Sequence, residues 1–173
     1  MRQMIVRLTM MVTLSAMLAA CNLRPLYAGG TAGPVAGELG HIDIEPIAGR
    51  AGWLTRNALK DQLEAFEGQD AKYRLIVKLD DKIAGFGVRS DDRITRERRT
   101  LRARYQLVRL SDSAVVLDAT AGSDAGIDVV SSEYATVAAE ETALENLATR
   151  VANQIVTRLS LFAHNKASAS PEP

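Results

Sequence analysis

The chain has 173 residues, with 21 Lys or Arg against 21 Asp or Glu and a formal net charge of zero at pH 7. That balance gives no argument for a nucleic-acid partner, whose phosphate backbone selects basic surfaces. Two histidines and one cysteine leave little material for catalysis. No His-Glu-x-x-His, Gly-x-Ser-x-Gly or phosphate loop occurs, so the chain reads as a non-enzyme with no metal site.

Residues 1–20 read as an export signal. Arg2 and Arg7 precede an uncharged run, Leu8 to Ala20. The run is shorter than the roughly 20 apolar residues that a membrane span needs, and it ends in small residues. The only cysteine, Cys21, follows at once. It cannot form an internal disulfide, and an unpaired thiol in an exported chain needs an explanation. Leu18-Ala19-Ala20-Cys21 resembles the lipobox of bacterial lipoproteins. The resemblance implies cleavage before Cys21, diacylglycerol on its sulfur and an acyl chain on the new amine, with no other cofactor. Each buried methylene contributes about 0.8 kcal/mol, and two or more chains anchor stably where one does not. Asn22, where Asp retains many such proteins in the inner membrane, favours the outer membrane by the same resemblance.

The mature chain is one domain in length. Residues 21–40, rich in Gly, Ala and Pro, read as a flexible tether. Residues 41–163 form the domain. His41 to Ile47 alternates like a short strand, and Pro46 suits an edge. In GRAGWLTRNALKDQLEAFEG, the residues Leu54, Ala58, Leu59, Leu63 and Phe66 fall at helical spacing, and Gly68 ends the run. Lys72 to Asp81 is a strand with Tyr73, Leu75, Val77 and Leu79 on one face and Arg74, Ile76 and Lys78 on the other.

Arg89 to Arg93 makes a hairpin turn, for which Asp91 and Asp92 suit local backbone hydrogen bonds better than they suit a cation. The return strand, Thr100 to Leu110, turns Leu101, Ala103, Tyr105 and Leu107 inward and Arg102, Arg104 and Gln106 outward. A third long strand, from Ala114 to Ser123, places Val115, Leu117, Ala119 and Ala121 on one face. A final helix runs from Ser132 to Phe162 with Ser131 or Ser132 as cap. Val137, Leu144, Leu147, Val151, Ile155, Leu159 and Phe162 form its apolar stripe. Residues 164–173 are polar and read as a disordered tail.

The order β-α-β-β-β-α closes most simply as an α+β two-layer sandwich, with two helices on one face of a four-stranded mixed sheet. The other face stays open and carries Arg74, Lys78, Arg102 and Arg104. Residues 72–109 hold twelve Lys or Arg and five acids; residues 110–173 hold three and nine. Positive charge is therefore concentrated in one block.

Cys21 followed by Leu23-Arg24-Pro25-Leu26-Tyr27 resembles the C-x-[FL]-x-P-[LM]-Y start of the LptE family of LPS-assembly lipoproteins. The last helix is similar too, with its Ser-x-Tyr-Ala opening and its Ala/Leu spacing. The resemblance implies a non-enzymatic lipoprotein that plugs the outer-membrane barrel LptD, helps it assemble and contacts lipopolysaccharide (LPS). A domain of this length has a diameter near ~38 Å. A barrel of about 26 strands leaves a lumen of roughly 40 Å, so the plug fits narrowly.

On this reading Arg74, Lys78, Arg102 and Arg104 are candidates for binding LPS phosphates and carboxylates, which guanidinium forks grip bidentately. The same face could instead meet the barrel interior or stay solvated, with Asp118 or Glu45 balancing charge across strands. The arginines at 93, 96, 98 and 99 could equally meet acidic barrel loops. The alternative function is a free-standing periplasmic lipoprotein, an adaptor or lipid-binding module independent of LptD.

Overall fold

The alternation that marks the three long strands becomes a single sheet in the computed structural model, which describes residues 34–64, 70–88 and 94–169. Strand β1 is Ile42–Ile44, β2 Tyr73–Val88, β3 Ile94–Arg109 and β4 Val115–Asp128, lying in that order across the sheet. β1 runs parallel to β2, and the other pairs are antiparallel. Helix α1 is Pro34–Leu39, α2 Gly49–Leu63 and α3 Glu133–Ala169. The expected α+β sandwich is what forms, and the β-α-β-β-β-α order holds with α1 added at its start.

The inward residues of β2 and β3 obey the predicted parity. Tyr73, Leu75, Val77, Leu101, Ala103, Tyr105 and Leu107 are buried beneath α3 residues such as Leu147, Val151, Ile155 and Leu159. α2 contributes Leu59 and Leu63, and its Gly52 lets the helix approach β1's exit closely. A Cβ there would stand 2.5 Å from the carbonyl oxygen of Ile47. α3 is capped by Ser132, whose Oγ accepts from the Ala135 amide at 3.4 Å. Its 37 residues reach about 55 Å, as far as the 16-residue strands β2 and β3.

Four expectations need correction. The tether does not run to residue 40, because residues 34–39 form α1. Pro34 suits a first helical turn, and Val35, Ala36 and Leu39 are buried in the core. The disordered tail does not start at 164. α3 continues to Ala169, and Lys166 in that extension donates to Glu38 Oε2 at 2.8 Å and to the Tyr73 hydroxyl at 2.7 Å.

Val115 is exposed, because a β-bulge intervenes. Leu107 pairs with Leu117 but Val108 with Val115, so Val116 is the extra residue and packs on the core instead. Val137 is likewise exposed; Thr136 takes the buried position and its hydroxyl donates to the Ser132 carbonyl at 3.3 Å. The signal, Cys21, the Arg89–Arg93 turn, Phe66 and Gly68 lie outside the described residues.

Candidate functional site

The outward face of the sheet is a charged lattice set by register. Lys78 stands directly opposite Arg104, and Asp80 opposite Arg102. Along β4 the outward residues are Asp118, Thr120, Gly122, Asp124, Gly126 and Asp128, so Asp128, Gly126, Gly122 and Thr120 stand opposite the outward Arg96, Arg98, Arg102 and Arg104. Asp118 accepts from Arg104 Nε and Nη2 at 3.3 and 3.1 Å and from Gln106 at 2.8 Å. The Arg104 and Gln106 hydrogen bonds hold the Asp118 carboxyl below its ordinary range, and the same contact raises Arg104. Arg102 approaches Asp124 at 3.9 Å, and Arg96 donates to Asp128 at 3.1 Å. These are exposed pairs, worth little as stability. They fix where the guanidinium groups point.

Arg102 does more than pair. Its side chain lies across β4 where Gly122 offers no Cβ; one placed there would sit 2.5 Å from both Cδ and Nη1. Beside it a groove of about 680 Å³ opens, lined by Lys78, Asp80, Arg102 and Arg104 together with Thr120, Gly122 and Gln154; the Asp80 carboxylate accepts from Lys82 at 2.8 Å. Lys78 has no ion-pair partner among the described residues. The groove therefore combines one uncompensated ammonium with two oriented guanidiniums, a set able to grip phosphate or carboxylate groups.

The register brings three of the four predicted cations together. Arg74 stands apart, because its neighbours are Val108 on β3 and Asp43 on β1. It lies two outward positions from Lys78 along β2. Asp118 was legible as a balancing charge; Asp80, Gly122 and Gln154 were not. Gly122 carries a signal only once the register puts it opposite Arg102. Gln154 sits on α3, far along the chain, and nothing local announces its contact.

The remaining arginines separate by parity. Arg98 lies over the Phe86 ring at 5.3 Å. Arg99 points inward, donating to Asp81 at 2.9 and 2.6 Å and to the Glu140 carbonyl at 2.8 Å. Beneath α3, burial pushes the Glu97 carboxyl up, and Glu140 beside it adds to the shift. No group of three or more metal-ligating side chains occurs among the described residues.

No curated protein matches the sequence. Among solved structures, a lipoprotein candidate from Caulobacter crescentus is similar at 25% identity and TM-score 0.61, covering 81% of this chain and 100% of that one. Two others share the fold. Rare lipoprotein B from Shewanella oneidensis has 10% identity, TM-score 0.58 and coverage of 73% and 98%. A minor lipoprotein from Acinetobacter baumannii has 12% identity, TM-score 0.55 and coverage of 71% and 94%. The lipopolysaccharide-assembly family LptE matches over residues 39–159, from the end of α1 to the last buried leucine of α3. The chain belongs to the LptE lipopolysaccharide-assembly family.

Proposed function

We propose that this LPS-assembly protein is anchored in the outer membrane by lipids on Cys21, plugs an LptD-type barrel, and touches LPS through its open sheet face. Family membership supports the assembly role and a non-enzymatic one. The ligand contact rests on one observation, the groove where Lys78, Arg102 and Arg104 converge. Arg74 is assigned no direct share, because the register sets it apart.

The competing reading is a free-standing periplasmic adaptor or lipid-binding module independent of LptD. On either reading, the pairing of Arg104 with Asp118 and of Arg102 with Asp124 favours a face that is merely solvated. Two measurements separate them. Depletion of the protein leaves LptD misassembled and LPS missing from the cell surface if the plug reading is right, and leaves both normal if it is an adaptor. Reversing charge with Arg102→Glu and Arg104→Glu weakens binding of labelled LPS by about tenfold or more, with fold and LptD association intact. Unchanged LPS binding by the purified variant removes the groove from the proposal.

A further inference from the structure

β4 ends the sheet, so one of its edges has no neighbouring strand among the described residues. In a ladder, alternate residues direct their backbone N–H and C=O to opposite sides. Gly122 shows which residues of β4 point outward. Its N–H donates to Gln154 Oε1 at 3.0 Å and its carbonyl accepts from Gln154 Nε2 at 3.3 Å, instead of joining β3. By the same alternation Thr120, Asp124 and Gly126 also offer their backbone groups to the free edge. Among the described residues, this 14-residue edge strand is met at one outward residue, by a side-chain amide that has the chemistry of a peptide group.

We infer that the free edge of β4 accepts an extended peptide strand, with Gln154 holding the place of one of its amides until it binds. Strand addition of this kind takes its affinity from main-chain hydrogen bonds and its selectivity from alternate side chains. The surroundings define those side chains. On the helix side a groove of about 580 Å³ runs between Ala125–Asp128 and α3, with Ala138, Ala139, Thr142 and Ala143 along one stretch and Asn146, Leu147 and Arg150 along the next. The short walls of the first stretch leave room for bulky apolar groups, while Arg150 closes the other end with a charge. On the other side the added strand continues the polar open face.

The aspartates that could repel a newcomer are drawn back: Asp118 and Asp128 lie over β3, held by Arg104 and Arg96. The fitting partner alternates apolar and polar residues, which is the pattern of a strand in an outer-membrane barrel, available to β4 before the barrel closes, since closure pairs every edge. Assigning it to the barrel rests on the proposed function; the strand-accepting edge does not.

The test uses the full-length protein in mild detergent and a ten-residue peptide alternating valine with threonine and lysine. Two twins of the peptide carry N-methyl groups, one on each set of alternate amides. Methylation of one set weakens binding at least tenfold and methylation of the other leaves it nearly unchanged, because only one edge of the peptide meets β4. Backbone amide shifts fall on Thr120, Asp124 and Gly126. Gly126→Pro, at a position where a side chain meets nothing within 4 Å, removes an outward N–H and abolishes binding. Gln154→Ala tightens it a few-fold by removing the competing amide.

Equal binding of both methylated twins, or no binding by the unmodified peptide, overturns the inference. So does a protein dimer that Gly126→Pro dissolves, since the occupant is then a second copy. Co-purification of the barrel with wild-type protein, scored separately, tells failure of the edge from failure of the plug reading.

Discussion

Thr55 is fully buried on α2, and its hydroxyl has no partner among the described residues. An unpaired buried donor costs about 1–3 kcal/mol, so Thr55→Val, which keeps the shape, raises stability by about 1 kcal/mol in urea unfolding; a loss shows that the hydroxyl has a partner. Gly52 gives the opposite expectation. A methyl group there meets the Ile47 backbone, so Gly52→Ala costs about 1–3 kcal/mol despite alanine's better helix propensity. Glu97 supplies a pH signature. Its folded carboxyl lies above the ordinary 4.5 through burial and the neighbouring Glu140. Charging it therefore opposes folding above that raised value, and the penalty vanishes below 4.5. Glu97→Gln is more stable than wild type at neutral pH, and the advantage fades as pH falls from the raised folded value towards 4.5, below which it is gone. A pH-independent gain assigns the effect to packing.

At the scale of elements, α1 is held by a three-way contact. Lys166 from the end of α3 meets Glu38 on α1 and the Tyr73 hydroxyl on β2, and the Tyr73 ring stacks edge-on against Phe162. Burial would raise Glu38, but the hydrogen bond and charge of Lys166, with Tyr73 and Lys72, hold it below 4.5. Lys166 is raised above 10.5 by the hydrogen bonds to Glu38 and Tyr73. The Glu38 contribution is present above 4.5 and lost as pH falls through its folded value. The Lys166 contribution is present below 10.5 and lost as pH rises through its own. Lys166→Met keeps the contact with the ring and deletes the charge. It speeds amide exchange over residues 35–39 several-fold while global stability falls by about 1 kcal/mol at most, since solvent screens the pair. Unchanged exchange there shows that Val35 and Leu39 alone retain α1.

This latch marks where sequence reading stopped. Strands β2 and β3 were legible because alternating Leu, Val and Tyr have only one way to be buried. α1 offers six residues and two large apolar groups, too few to stand out from a Gly/Ala/Pro stretch. Its partner Lys166 lies 128 residues away. The Val115–Val116 bulge shifts parity by one residue with no Gly or Pro to announce it. The cations of the candidate site were legible as a face, since parity alone separates them from the core. Their grouping depended on register, which set Arg74 aside from Lys78, Arg102 and Arg104.

For the whole molecule, the two layers differ in extent. α2 has 15 residues, about 22 Å, and covers less than half of the 16-residue β2. Beyond Leu79 the inward positions of β2 are Asp81 and Ile83, both exposed, and α3 alone continues over the far end. There Arg99 ties three elements together, joining its own strand to Asp81 on β2 and to the Glu140 carbonyl on α3. Stability should therefore be graded along the hairpin, because local opening is cheapest where few apolar contacts are lost.

In hydrogen exchange, amides of residues 75–79 and 101–107 open only with global unfolding. Those of residues 82–86 and 96–98 exchange by a separate, lower-energy opening. Arg99→Ala accelerates the second group at least tenfold and leaves the first within about twofold, since it cuts the tie without touching the leucine core. Uniform protection along β2 would mean that α3 by itself holds the far end closed. A graded hairpin leaves the end beside the free β4 edge able to adjust to a partner, while the half under both helices keeps the register that gathers Lys78, Arg102 and Arg104.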